Sequence, residues 1–180
     1  MKRRFFLQLP LGLAALSAQA SESTGNRAPN GFKVPAGKDR YDVELSFQGD
    51  KYYCKVSAKD TDEDLCIHEV TRMDKGGPAF HIHYLQDEWF YILRGEFIFK
   101  IGHEMFYLKP GDSAFGPRKI PHTFAKTNEG EGRMIVVSQP GKSSELFLKD
   151  ASQLRDGSPD ALQRLYRKHD MEMMGPALKY

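Results

Sequence analysis

This chain has little of what marks a nucleic-acid binder, a membrane protein or a disulfide scaffold. Two cysteines in 180 residues cannot make a disulfide framework. No apolar run approaches the roughly 20 residues that cross a bilayer, and the stretch Leu9 to Leu16 is broken by Pro10 and Gly12. Internal repeats, low-complexity tracts and runs of like charge are absent. The formal charge of +2 is itself local: without Lys2, Arg3 and Arg4 the chain has 23 basic and 24 acidic residues, a net of −1. With no basic patch, the composition argues against nucleic acid or an anionic membrane as partner.

Those three basic residues open a stretch that reads as targeting. A basic start, a short apolar segment and Ala18-Gln19-Ala20 before Ser21 predict a signal peptide over residues 1–20, hence export to a bacterial periplasm or the medium. Arg3-Arg4-Phe5-Phe6-Leu7 is similar to the core of twin-arginine signals, with an ordinary secretory signal as the alternative. Residues 21–31 then form a polar linker with Gly and Pro, expected to be flexible. From Phe32 onward, about ten short β-like runs alternate with turn signals such as KDTDED, MDKGGP, RGE, PGD and NEGEG. The expectation is an all-β sandwich or barrel over residues 32–148, with ample chain for one core. Residues 149–180 form an extension in which Ser158-Pro159 caps a short helix with Leu162, Leu165 and Tyr166 on one face. That helix packs across the barrel or onto a neighbouring subunit. The methionines after it read as packing rather than as soft metal ligands.

Everything is organised around Gly76 to Gly95, GGPAFHIHYLQDEWFYILRG. Alternation in AFHIHY predicts a strand with His81 and His83 on one face, roughly 6.6 Å apart along it. Leu85, Gln86 and Asp87 read as a short connection to a second strand running back, a hairpin that brings Glu88 beside the imidazoles. Downstream, Pro110-Gly111-Asp112 and a Pro-rich loop lead to His122 at the start of HTFAK. Three imidazoles and a carboxylate make a donor set for one divalent transition metal ion. His68, on a strand with Ile67 and Val70, and His103, in the Gly102 turn, are not expected to join it.

The pattern HxH-x4-E-x6-G followed by PGD-x4-P-x4-H resembles the two motifs of the cupin superfamily. The resemblance implies a jelly-roll β-barrel in which His81, His83, Glu88 and His122 bind one metal, and a homodimer is the usual assembly. Lys75 stands where the first motif opens with Gly; Lys119 and Lys126 replace a Gly and an Asn of the second. The stretches KVSAKDT, GPAFHIHYLQDEWFYILRG and PDALQRLYRKHDMEMMGPAL narrow the likeness to single-domain cupins related to quercetin 2,3-dioxygenases. It then implies a metal-dependent dioxygenase taking dioxygen and a flavonol-like or other enolisable aromatic substrate, with Glu88 as the base. An exported, non-catalytic metal- or ligand-binding protein is the alternative; a germin-like oxalate oxidase or a sugar isomerase comes third. Iron, manganese, nickel, cobalt, copper and zinc all suit the donors.

Strand parity adds a lining. Ala79, Phe90, Ile92 and Phe124 fall in phase with the ligands, with Arg94 and Lys126 only at the strand ends. Phe90, Ile92 and Phe124 suit an apolar small-molecule substrate, although inward aromatics are first of all core. Cys54 and Cys66 flank KDTDED in a hairpin. Pairing about Asp60 sets them opposite each other, either as an oxidised pair or as two buried thiols. Neither has a motif-like histidine partner, so neither reads as a nucleophile.

Overall fold

A computed structural model describes residues 27–180; the signal segment and most of the linker lie outside the described residues. The described residues form eleven strands. They are β1 (Leu45–Phe47), β2 (Asp50–Val56), β3 (Cys66–Arg72), β4 (Ala79–His83), β5 (Asp87–Arg94), β6 (Phe97–Ile101), β7 (Glu104–Leu108), β8 (Ser113–Gly116), β9 (His122–Lys126), β10 (Gly132–Gln139) and β11 (Met171–Ala177). Two helices, α1 (Lys142–Gln153) and α2 (Pro159–Lys168), precede β11. All strand pairs are antiparallel, in a six-stranded sheet of order β1-β2-β3-β10-β5-β8 and a five-stranded sheet of order β11-β4-β9-β6-β7. This is the all-β, jelly-roll-type arrangement expected from the sequence.

The two sheets face each other over one core. Val70, Phe90, Ile92 and Met134 come from the first, and Phe97, Phe99, Leu108 and Phe124 from the second. Period-two alternation puts these side chains inward, and burying each is worth roughly 1.5–3 kcal/mol. The aromatic rings meet edge-on or tilted, as in Phe90 with Phe99 at 5.0 Å between centroids.

A second cluster lies beside the edge strands β1 and β11. Phe147, Leu148 and Ala151 of α1 pack with Leu165 and Tyr166 of α2 and Met171 of β11, against Leu45, Phe47 and Tyr52. Ser158 caps α2 by accepting from the Ala161 amide, with Pro159 at the first helical turn. The segment after Pro140, which reads as mixed in sequence, is the helix α1; its buried residues Ser144, Phe147, Leu148 and Ala151 recur at helical spacing.

Two local expectations need correction. The connection after β4 is not a hairpin turn: β4 and β5 belong to different sheets, so it carries the chain from one to the other. The methionine tail packs as expected, and does so as a strand, with Met171 opposite His83 and Met173 opposite His81. Cys54 lies opposite His68, not Cys66, because the hairpin turns about Thr61 and a bulge follows Cys54. Both cysteines are buried free thiols, with burial pushing the Cys66 thiol up to about 12. Finally, Lys119, where the resembling motif has Gly, adopts a left-handed backbone at φ 66°. That conformation costs a non-glycine residue roughly 1–2 kcal/mol. Its amide donates to the His83 carbonyl at 2.7 Å, which ties the Pro-rich loop to the ligand strand.

Candidate metal centre

Side-chain alternation on β4 aims His81 and His83 into the barrel. His122 joins them because β9 pairs with β4 at the register His81 opposite His122. Glu88 arrives from the other sheet, across the barrel. Its neighbours along that sheet are Ser138 on β10 and Gly116 on β8. A Cβ on Gly116 would stand 3.2 Å from His122 Nδ1, so this glycine leaves room for the imidazole. Gly77 has a stricter duty: a Cβ there would stand 1.8 Å from the Phe124 carbonyl oxygen, and only glycine lets the segment before β4 lie against β9.

The four expected ligands converge, with one donor atom each and all within 4.8 Å of one another. His81 Nε2 is 3.1 Å from His83 Nε2. Glu88 Oε2 is 3.0 Å from His122 Nε2 and 3.5 Å from His83 Nε2. Adjacent donors on an octahedral ion with bonds of about 2.1 Å stand roughly 3 Å apart, so this spacing fits a transition metal.

Protonation fits as well. Burial, with His122 and His83 close by, holds the His81 imidazolium far below its ordinary range. Burial likewise pushes His83 down to about 4, although Glu88 pulls the other way. Burial alone would raise the Glu88 carboxyl, but His83 and the hydrogen bond to His122 outweigh it and keep it well below the usual carboxylate range. Neutral imidazoles beside an ionised carboxylate are what a divalent ion binds.

The surrounding residues orient the donors. His81 Nδ1 donates to the Ala79 carbonyl at 2.8 Å and His122 Nδ1 faces the Ile120 carbonyl at 3.3 Å, turning each Nε2 inward. With the His81 proton on Nδ1, only a proton on His83 Nε2 or a cation can hold the two Nε2 atoms together. Gln86 responds to that choice. Its amide nitrogen lies 3.3 Å from His83 Nδ1 and 3.1 Å from Glu88 Oε1. Its Oε1 is buried without a hydrogen-bond partner among the described residues. Rotating the amide presents that oxygen to a protonated Nδ1, the state a metal on Nε2 requires. Ser138 Oγ donates to Glu88 Oε1 at 3.2 Å. In the sequence Gln86 reads only as part of a connection, and nothing marks Ser138. The signal for Gln86 was its position midway between His83 and Glu88.

The chamber around the donors has a volume of about 80 Å³, and Phe90 and Phe124 are in its lining. Ile92 is not part of the lining; it is fully buried in the core farther along β5. In its place stand residues from the far end of the chain: Ser144, Phe147 and Leu148 of α1, Tyr166 of α2 and Met171 of β11. Tyr166 sets its ring edge-on to His81 at 5.6 Å. His68 also lines the chamber, and neither it nor His103 joins the ligand group.

Comparison with known proteins agrees with this arrangement. Residues 69–138, which span the whole ligand set, match the cupin domain family. An uncharacterized protein of Methanocaldococcus jannaschii is 32% identical over 65 residues, 36% of this chain and 52% of that protein. The chain thus spans about half the length of that curated relative. An RmlC-like cupin from Shewanella frigidimarina superposes with a TM-score of 0.50 at 18% identity, covering 64% of this chain and 96% of the other. The polyketide cyclase RemF from Streptomyces resistomycificus gives 0.50 at 20% identity, covering 62% of this chain and 80% of its own. At such identities the likeness concerns the fold, which is cupin-like.

Proposed function

We propose that this chain is an exported, metal-dependent dioxygenase acting on a flavonol-like or other enolisable aromatic substrate. The observation that carries the reading is Glu88, an ionised carboxylate buried among three imidazoles and beside an apolar wall. His81, His83, Glu88 and His122 would hold the ion. A bound transition metal supplies Lewis acidity and open coordination positions for a substrate oxygen and for dioxygen. Glu88 Oε2 takes the proton of the substrate hydroxyl, which leaves an electron-rich enolate that dioxygen oxidises, both oxygen atoms entering the products. Ser138 holds the other carboxylate oxygen so that the accepting one stays aimed at the chamber. Phe90 and Phe124 exclude water from the enolate.

Glu88→Gln tests this. A neutral amide still offers a ligand oxygen but cannot accept the proton. Oxygen consumption with quercetin and simpler enolisable phenolics should therefore fall at least 100-fold at equal metal loading. Equal rates in the two proteins would remove Glu88 from the chemistry.

A second reading, an exported metal- or ligand-binding protein without turnover, has one observation in its favour. The chamber of about 80 Å³ is smaller than the roughly 150 Å³ cavity that takes up a benzene molecule. No oxygen uptake with any of these compounds, from protein loaded with each of the six metals in turn, decides for it.

A further inference from the structure

The metal chamber is too small for an aromatic substrate, yet a much larger cavity adjoins it. This outer cavity has a volume of about 720 Å³, within the roughly 300–1,000 Å³ typical of small-molecule sites. Its walls include the loop with Asp39, Tyr41 and Val43, then Leu45, Cys54 and Ala58, and the solvent-side face of α1 with Leu146 and Lys149; Lys59, Glu63 and Lys142 add charge to a mainly apolar lining. The opposite face of the same helix, Ser144, Phe147 and Leu148, lines the metal chamber. One residue lines both spaces: His68.

His68 is 2% exposed and lies on β3, in the row that continues through Val136 to Phe90. Its Nδ1 is 3.8 Å from Cys66 Sγ, while Nε2 is buried without a hydrogen-bond partner among the described residues. An unmet buried nitrogen costs roughly 1–3 kcal/mol, which a ligand atom can recover. The outer walls are held in place. The Asp39 carboxylate accepts from the amides of Tyr41, Val43 and Cys54, at 2.7, 3.3 and 2.6 Å. Glu145 anchors α1 by accepting from Ser57 Oγ at 2.7 Å and the Ala58 amide at 2.9 Å. Between these anchors Tyr41, Val43 and Leu146 remain 47%, 48% and 45% exposed, an unusual cost for apolar side chains on adjoining walls.

We propose that the two spaces form one ligand site joined past His68. An apolar, multi-ring oxygenated molecule lies with its body in the outer cavity, and its hydroxyl-bearing end reaches the metal chamber. His68 Nε2 bonds a polar atom where the molecule passes between the two. This rests on the reading of the metal centre above and adds to it the substrate's length and a second polar anchor. A short, wholly polar substrate has no use for such a cavity.

Binding can be measured without turnover, in cobalt-loaded protein kept free of oxygen, from the visible bands of the ion. Azide, three atoms long, fits the chamber alone and serves as control; quercetin is the long probe. Val43→Trp and Leu146→Trp fill the outer cavity from opposite walls at exposed positions, so folding is spared. Each should weaken quercetin binding at least tenfold while leaving cobalt content and the azide response unchanged. His68→Phe should weaken quercetin similarly, and His68→Gln should restore part of the loss. Unchanged quercetin affinity in both tryptophan variants would overturn the proposal, as would wild-type bands that respond to azide and not to quercetin. Quercetin binding without later oxygen uptake would instead overturn the dioxygenase reading and leave the two-chamber site standing.

Discussion

At the scale of single residues, the candidate metal centre depends on side chains outside its four donors. Gln86 is the clearest. It is 3% exposed, bonds both His83 and Glu88, and keeps an unused carbonyl oxygen for the tautomer that metal binding requires. Gln86→Ala should weaken metal binding about 10- to 100-fold while the far-ultraviolet circular dichroism stays unchanged. Competition against a chromophoric chelator measures it, and wild-type affinity would show that the amide is a bystander. Gln86 does not stand out in the sequence, because a glutamine in a short connection looks like any polar loop residue. Its burial exists only because that connection crosses between sheets.

At the scale of elements, β11 is the unexpected part. Its pairing with β4 places Met171 and Met173 opposite the two ligand histidines, and Met171 is 3% exposed in the helical cluster. Met171→Ala should lower unfolding stability by about 2–5 kcal/mol, as cavity-forming core substitutions do. Because the same strand buttresses β4, it should also speed metal loss to a chelator. Chemical denaturation and metal-release kinetics check the two together. The ten earlier strands and α2 were legible from alternation, turn residues and the Ser-Pro cap. β11 was not, since MEMMGPA lacks β-branched residues and contains Gly and Pro; its pairing with β4 overrides weak local preference.

At the scale of the molecule, burial of titratable groups shapes the pH response. Burial pushes His68 down to about 4, against an ordinary value near 6.5. Between those values the unfolded chain binds a proton that the folded one does not, so this contribution is present above pH 6.5 and is lost as pH falls toward 4. Asp50 acts oppositely, since burial raises it to about 6 despite the Arg72 guanidinium at 3.0 Å; its contribution is present below its unfolded value and lost as pH rises through 6. The wild-type profile is therefore flattened, and a difference isolates His68. Relative to His68→Phe, the wild type should lose roughly 2–3 kcal/mol between pH 7 and pH 4. Urea titrations at four or five pH values measure it, and a constant difference would mean that His68 protonates in place.

The sequence by itself determined the strand ladder, the four candidate metal donors and the aromatic wall of Phe90 and Phe124. Those follow from local rules: side chains alternate along a strand, and donor spacing survives in the chain as motif spacing. Tertiary structure alone decided that Glu88 approaches from the opposite sheet, that Cys54 faces His68, and that Ile92 belongs to the core instead of the cavity. It also brought α1, α2 and β11 against the sheets, so that residues 144–171 complete a chamber whose lining begins at Phe47. No periodicity records which sheet a strand joins, or what a distant helix covers. Those are settled by the burial of apolar faces that find each other only after the chain has closed.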